Sequence, residues 1–383
     1  MKFLVRFLGI SMIIVALYNL WVVIDVPPTY KVLATSAVEA NSIVSAGTDS
    51  GKGNIVGIQP ALKPIHYANK VTLRDNLRSY MQAARARGLI TPKTVVVFPE
   101  YIGSWLVAME QKTSVYEKTN LTDAMTAVIT ANLFKFAVAY TTAPKGVKEK
   151  DKYAAFAMKA RQMSETYDEI FSELAAEFKV TIVAGSIVLP EPSINEMGHL
   201  KIERGQLYNT SVVYNPEGKI QGPLVKKIFP INDEAGFTAS GDPSQVPVFT
   251  TPSGKLAVLV CADSWYPAAY AKLGADVKMI AVPSLGAVDS IWNAPWKGYN
   301  GFKAPNDVDT TDYNLISEGD AWQKYSMGPR ARNANIQYGM NVFFTGDMWG
   351  KKAEGRVLIL DNDSLSVLPA TTTAGRIVNQ WLQ

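Results

Sequence analysis

The order of apolar and polar positions divides the chain into three stretches of different character. Phe7 to Ile24 is one apolar run, interrupted only by Gly9, Ser11 and Asn19, with Lys2 and Arg6 before it and Asp25 and Pro27-Pro28 after it. Its length matches the hydrocarbon core of a bilayer, and Tyr18 and Trp21 near its far end suit a membrane interface. A cleaved signal peptide is the competing expectation, but small-residue sites such as Val38-Glu39-Ala40 lie well beyond the apolar end. The pattern predicts an uncleaved membrane anchor over 1–28, with the bulk of the chain outside the cytoplasm, periplasmic or extracellular. Cleavage would instead make the chain secreted. Residues 29–53, rich in Ser, Ala, Thr and Gly, predict a linker, and 54–383 a single domain.

In the third stretch, short apolar runs alternate with helical periodicity. Asn54–Pro60 predicts a strand, and Val71–Arg87 a helix with Leu73, Leu77, Tyr80, Met81 and Ala84 on one face and Gly88 as its stop. Thr94–Glu100 is a buried strand that ends in Pro99-Glu100. Lys112–Tyr167 is helical but poorly punctuated and predicts an insertion, either a helical subdomain or a membrane-touching segment. Glu165–Phe178 predicts an amphipathic helix and Val180–Leu189 a strand. Leu207–Tyr214 and Lys219–Ile228 predict a hairpin about the turn Asn215-Pro216-Glu217-Gly218. Leu256–Cys261 is a buried strand, followed by a helix over Pro267–Gly274 and a strand over Val277–Val282. Trp322–Tyr338 predicts a helix, and Asn341–Thr345 and Arg356–Leu360 two strands. Strands alternating with helices across one unit argue for α/β layers.

Composition removes several function classes. The net charge of +4 is spread out, with no basic run interleaved with aromatics, so nucleic acid is not an expected partner. The chain holds one cysteine and two histidines, His66 and His199, far apart in sequence. That disfavours a histidine metal site or a Ser/His/Asp triad, and His-Glu-x-x-His, Gly-x-Ser-x-Gly and Walker motifs do not occur.

Three strand ends carry matched chemistry instead. Glu100 closes one apolar strand, Lys226-Lys227 another and Cys261 a third. A carboxylate at the end of a buried strand is costly unless solvated, paired or used. A cysteine nucleophile needs a base, and a fixed lysine charge can hold an oxyanion. A strand-to-helix turn after Cys261 would also favour its thiolate. Strand alternation turns only one of the two lysines inward.

Taken in order, these motifs resemble the nitrilase superfamily of carbon–nitrogen hydrolases. Phe98-Pro99-Glu100 is similar to the strand bearing the catalytic glutamate. Leu207–Ser211 with Asn215–Ile220 and Lys226-Lys227-Ile228-Phe229-Pro230 resembles the hairpin that delivers the catalytic lysine, with Lys227 as the match and Lys226 as its flank. Val260-Cys261-Ala262-Asp263 with Tyr266-Pro267 resembles the nucleophile elbow. The resemblance covers roughly 54–360. It implies a four-layer αββα sandwich preceded by the N-terminal helix, with Glu100, Lys227 and Cys261 meeting at one end, and a second glutamate for which Glu234 is the best match. It further implies a Cys thioester acyl-enzyme acting on a small amide or nitrile, amide above nitrile, with the Ala262 amide in the oxyanion site, no metal or organic cofactor, and a homo-oligomer, most simply a dimer. Ala262 stands where a bulky residue is commoner. Gly286–Asp320 is a long segment with Trp292, Trp296, Tyr299, Phe302 and Tyr313, expected to be a substrate lid or an oligomer contact. Tyr101, Trp265 and Trp292 are the candidate pocket residues. The alternatives are an N-acyltransferase using the same acyl-enzyme and a catalytically idle, membrane-tethered binding module.

Overall fold

The computed structural model describes residues 2–27, 43–286, 290–371 and 374–383. Most of the expected linker, Val38–Ala40 included, therefore lies outside the described residues. Two sheets stack face to face. The eight-stranded sheet runs Ile43–Ala46, Arg376–Trp381, Asn54–Gln59, Thr94–Val97, Thr181–Val183, Leu207–Tyr214 and Ile220–Lys226, with Ile187–Pro190 also paired to Leu207–Tyr214. The six-stranded sheet runs Val248–Thr251, Gly254–Val258, Val277–Ser284, Tyr338–Phe343, Val357–Asp361 and Ser364–Val367.

Strand alternation explains the layers. In the first sheet Ile55, Val95, Val97, Val183 and Val213 join one core with Leu256, Val258, Met279 and Ile280 of the second sheet. Their neighbours Val56, Ile58, Val96, Ile182 and Val212 join the other core, under the helices Lys70–Ala86 and Ala160–Phe178. Both faces of these strands are buried, so each reads as a continuous apolar run. The helices Glu318–Tyr325 and Met327–Asn333 complete the fourth layer. The sheets approach closely at Gly57, where an added Cβ would lie 2.5 Å from the Met340 sulfur.

Several elements differ from the sequence expectation. Val180–Leu189 is two strands, not one, broken at Ala184–Ser186. Gly185 there takes φ +65°, and a Cβ would sit 2.1 Å from the Pro99 carbonyl oxygen. The break lets the backbone meet the loop that carries Glu100. Pro267–Gly274 holds only a short 3-10 turn at Pro267–Ala269. The single helix expected over Trp322–Tyr338 is two helices hinged at Ser326, and Tyr338 opens a strand. Pro329 accounts for the hinge: in one continuous helix its ring would strike the Tyr325 carbonyl. That carbonyl instead accepts from Arg330 Nε at 3.2 Å. The residues beyond 360, read without elements, supply Arg376–Trp381, which sits between Asn54–Gln59 and Ile43–Ala46. Ile43–Ala46 is thus an edge strand and not linker.

The N-terminal helix covers Lys2–Val23. Among the described residues no single helix is long and apolar enough to cross a membrane, and Ile10–Val23 is a shorter apolar helix. The insertion after Lys112 is helical: Thr113–Tyr116, Leu121–Ala131, Leu133–Thr141 and Lys150–Ala157. The two ends meet: the Tyr18 hydroxyl donates to the Thr130 carbonyl at 2.8 Å, and the Lys112 ammonium lies 3.6 Å from the centre of the Trp21 ring.

Candidate active site

Each catalytic candidate is placed by a different local device. Glu100 follows Thr94–Val97, and the next residue, Tyr101, takes φ +64°. The strained turn is held by its neighbour: the Tyr101 amide donates to Ser186 Oγ at 2.9 Å and the Gly103 amide to the Ser186 carbonyl at 2.9 Å. Lys227 comes one residue past Ile220–Lys226, with its amide donating to the Asn209 carbonyl at 2.8 Å. Lys226 points the other way, its ammonium 3.8 Å from the centre of the Tyr208 ring. Cys261 opens the 3-10 turn Cys261–Trp265 after Gly254–Val258 and takes φ +50°. Asp263 ties that turn to the lysine strand, accepting from the amides of Ile228 at 2.9 Å, Phe229 at 2.8 Å and Val260 at 3.2 Å. Burial, opposed by these amides, lifts its carboxyl to about 7.

Four charged or nucleophilic groups converge out of water. Glu100 is 1% exposed, Lys227 1%, Glu234 4% and Cys261 6%. Lys227 Nζ donates to Glu100 Oε1 at 2.8 Å and to Glu234 Oε2 at 2.5 Å. Asn209 Nδ2 bridges the same two carboxylates, at 2.9 Å to each Oε1. The Tyr101 hydroxyl adds a third donor to Glu234, at 2.9 Å. The Cys261 thiol faces the same cluster, its sulfur 4.0 Å from the Leu285 carbonyl oxygen and close enough to Glu100 to feel its charge.

The environments push the two carboxyls apart. Burial raises Glu100 above the usual carboxylate range; Lys227 opposes this and the Glu234 charge adds to it. Glu234 is equally buried, but Lys227 and the donors Tyr101 and Asn209 outweigh burial and hold it low. Burial works against the Lys227 charge, yet the two carboxylates keep it protonated well above the lysine range. One site therefore holds a carboxyl able to take a proton beside one fixed as an anion, the arrangement that separates a base from a counter-ion.

The expected thiolate stabilisation is corrected. Burial first, then the Glu100 charge, push the Cys261 thiol upward. The turn that follows is five residues of 3-10 helix, too short for a useful dipole. The resting sulfur is thereby held in its protonated form. Ala262 takes the second position of that turn, where helical amides lack an internal partner, and lines the same cavity as Cys261.

That cavity holds about 140 Å³. Trp265 and Trp292 line it, as do Trp296, Tyr299, Trp322 and Phe343. Tyr101 does not: its hydroxyl is spent on Glu234. Gly286–Asp320, described apart from 287–289, supplies much of the wall. It is pinned by Trp296 N to the Ile316 carbonyl at 2.9 Å, Asn314 N to the Trp296 carbonyl at 2.7 Å, and Arg330 Nη2 to Asp307 Oδ1 at 3.1 Å. Arg330 Nε also donates to the Trp265 carbonyl at 3.1 Å, which joins this segment to the nucleophile turn. Sequence reasoning missed three residues here. Asn209 lay inside a quoted motif without a role. Asp263 marked the turn but not its tie to the lysine strand. Glu318, at the end of the aromatic segment, lines the cavity.

Two stacked sheets between helical layers, with a cysteine, a lysine and two glutamates gathered at one end, define a nitrilase-type α/β protein. The family model for carbon-nitrogen hydrolases matches residues 56–297. The chain belongs to the carbon-nitrogen hydrolase family. It is similar to the "Probable hydrolase YhcX" of Bacillus subtilis, 30% identical over 124 residues, which cover 32% of this chain and 21% of that protein. It is also similar to Nitrilase 2 of Arabidopsis thaliana, 34% identical over 80 residues, or 20% of this chain and 23% of that protein. The matched stretches thus span only about a fifth of these relatives. A crystal structure of an amidase from Nesterenkonia sp. superposes with a TM-score of 0.50 at 13% identity, covering 86% of this chain and 89% of that one. A double mutant of the amidase from Nesterenkonia sp. AN1 in complex with acrylamide gives 0.50 at 12% identity, covering 87% and 92%. At such identities the likeness speaks to fold.

Proposed function

We propose that the chain hydrolyses a small amide through a Cys261 thioester. The observation that carries this reading is a buried thiol beside a carboxyl that burial has made a stronger base, with a locked ammonium bonded to that carboxyl. Glu100 takes the sulfur proton as sulfur bonds to the carbonyl carbon, and the carbonyl electron pair moves onto oxygen. Lys227 Nζ and the Ala262 N–H hold that oxyanion. Collapse breaks the carbon–nitrogen bond, and the nitrogen leaves with the proton from Glu100. Water then gives Glu100 a proton and attacks the thioester; collapse expels the sulfur, which regains that proton as the acid departs. Glu234 stays ionised throughout and holds Lys227 in place. An amine in place of water would make the same acyl-enzyme a transferase.

Ammonia release by the full-length protein across small amides and nitriles, with Cys261→Ala in parallel, tests the reading. Release that the variant abolishes supports a cysteine hydrolase. Release only as a transferred acyl group, when an amine acceptor is added, selects the transferase. No turnover, with Cys261 no more reactive to iodoacetamide than a free thiol, selects an idle binding module.

We also propose that the N-terminal helix holds the protein at a membrane, with the hydrolase domain outside the cytoplasm. Ile10, Ile13, Ile14, Leu17 and Leu20 are exposed, and so are Leu133, Phe134, Val138 and Tyr140 of the adjoining insertion. Tyr18 and Phe134 pack edge to face, 5.5 Å between ring centres, so the two apolar surfaces adjoin. A continuous patch of this kind marks an interaction surface. Resistance of the full chain to alkaline extraction, lost in Ile14→Lys, is the expected result; recovery of the parent protein in the soluble fraction would overturn it. The proposed homodimer is read by light scattering.

A further inference from the structure

The cavity beside Cys261 pairs an aromatic wall with a carboxyl, Glu318, that no cation among the described residues neutralises. Trp265, Trp296 and Trp322 come together at 5.9 Å (Trp265 to Trp296) and 4.8 Å (Trp265 to Trp322), and Phe343 meets Trp322 at 4.9 Å and Trp292 at 5.2 Å. Three of these four contacts are edge to face, and all five rings line the cavity. Glu318 lines the same cavity. Partial burial lifts its carboxyl to about 7, and among the described residues no basic group offsets it. The contrast with Glu234, whose charge Lys227 answers, is direct. The Arg330 guanidinium reaches the outer side of this wall, at the Trp265 carbonyl, but is paired with Asp307, and that of Arg356 lies 5.8 Å from the centre of the Trp292 ring; neither lines the cavity. An uncompensated carboxyl among aromatic faces is the arrangement that attracts an organic cation.

Size and chemistry narrow the ligand. About 140 Å³ corresponds to four or five water volumes, well under a drug-sized site. The leaving nitrogen must depart after the first half-reaction, while the acyl group stays bonded to sulfur through the second. The walled space therefore suits the acyl side.

We infer that the acyl group of the substrate is short and carries a positive charge, held between the tryptophan faces and Glu318. This rests on the amide-hydrolase reading above and names its substrate class: amides of small ammonium-bearing acids.

An isosteric pair tests it without turnover. Betaine amide and 3,3-dimethylbutanamide differ only by a quaternary nitrogen in place of a quaternary carbon. Each is titrated into full-length protein carrying Cys261→Ala, read by the fluorescence of the cavity tryptophans. The expected result is binding of the cation tighter by about tenfold or more, falling to within about twofold when Glu318→Gln is added. Glu318→Asp, which keeps the charge, retains a preference and controls for a fold disturbed by the first variant. Equal binding of the pair, or a preference that survives Glu318→Gln, overturns the inference. Failure of every amide to release ammonia in the parent protein would sink the hydrolase reading instead, and leaves this binding comparison readable on its own.

Discussion

The cluster of Glu100, Lys227 and Glu234 and the aromatic cavity meet at one sulfur atom, yet they treat charge in opposite ways. In the cluster the ammonium sits between two carboxylates and an amide side chain spans both, all of it at 4% exposure or less. In the cavity Glu318 stands among indole rings with no counter-ion among the described residues. A satisfied cluster cannot accept a further charge without loss. An unsatisfied carboxyl invites a partner from outside. On the proposed reading, chemistry and selectivity are divided between sheet ends and a loop segment.

The largest expected effect tests the division within the cluster. Glu100→Gln removes the base and lowers turnover by about 10²–10⁴-fold, while Glu234→Gln loses less, because its carboxylate only holds Lys227. Equal losses in steady-state kinetics would mean that both carboxyls exchange protons. Next, Lys227→Met leaves two buried carboxylates without their cation and costs about 3–5 kcal/mol in denaturant unfolding. A change under 1 kcal/mol would show that the cluster is not desolvated as described.

Glu318 gives the third comparison. Its folded carboxyl titrates near 7, above its usual 4.5, so the folded state holds that proton more tightly. Its contribution to stability is full below about pH 4.5 and is lost as pH rises toward 7, roughly 1–3 kcal/mol after allowance for partial exposure. Glu318→Gln should flatten the unfolding free energy over that window relative to the parent. Asp263 shifts in the same direction, so the difference between the two proteins is the quantity to read. The smallest effect separates neighbours. Lys226→Met removes only a cation over the Tyr208 ring and costs about 0.5–1 kcal/mol, with turnover kept. Loss of turnover there would mean that the register of the lysine strand is wrong.

What the sequence by itself determined is local. Glu100 and Cys261 could be picked out because each closes an apolar run, Lys227 because it ends the hairpin strand in the order the family resemblance implies, and the turn Asn215–Gly218 sets the hairpin that brings Lys227 back beside Asn209. Layering was legible because strands with both faces buried read as unbroken Val and Ile. The tertiary structure alone decided the rest. Asn209 bridges carboxylates 109 and 25 residues away, and no local pattern announces such a partner. Arg376–Trp381 pairs with residues more than three hundred positions earlier. Glu318 sits in an ordinary helix-start sequence, and only the folding of 290–320 against Trp265 and Phe343 makes it a half-buried carboxyl among rings. Side-chain alternation and strand ends follow from backbone geometry one residue at a time. Charge compensation depends on which distant group arrives, and that is settled only when the layers close.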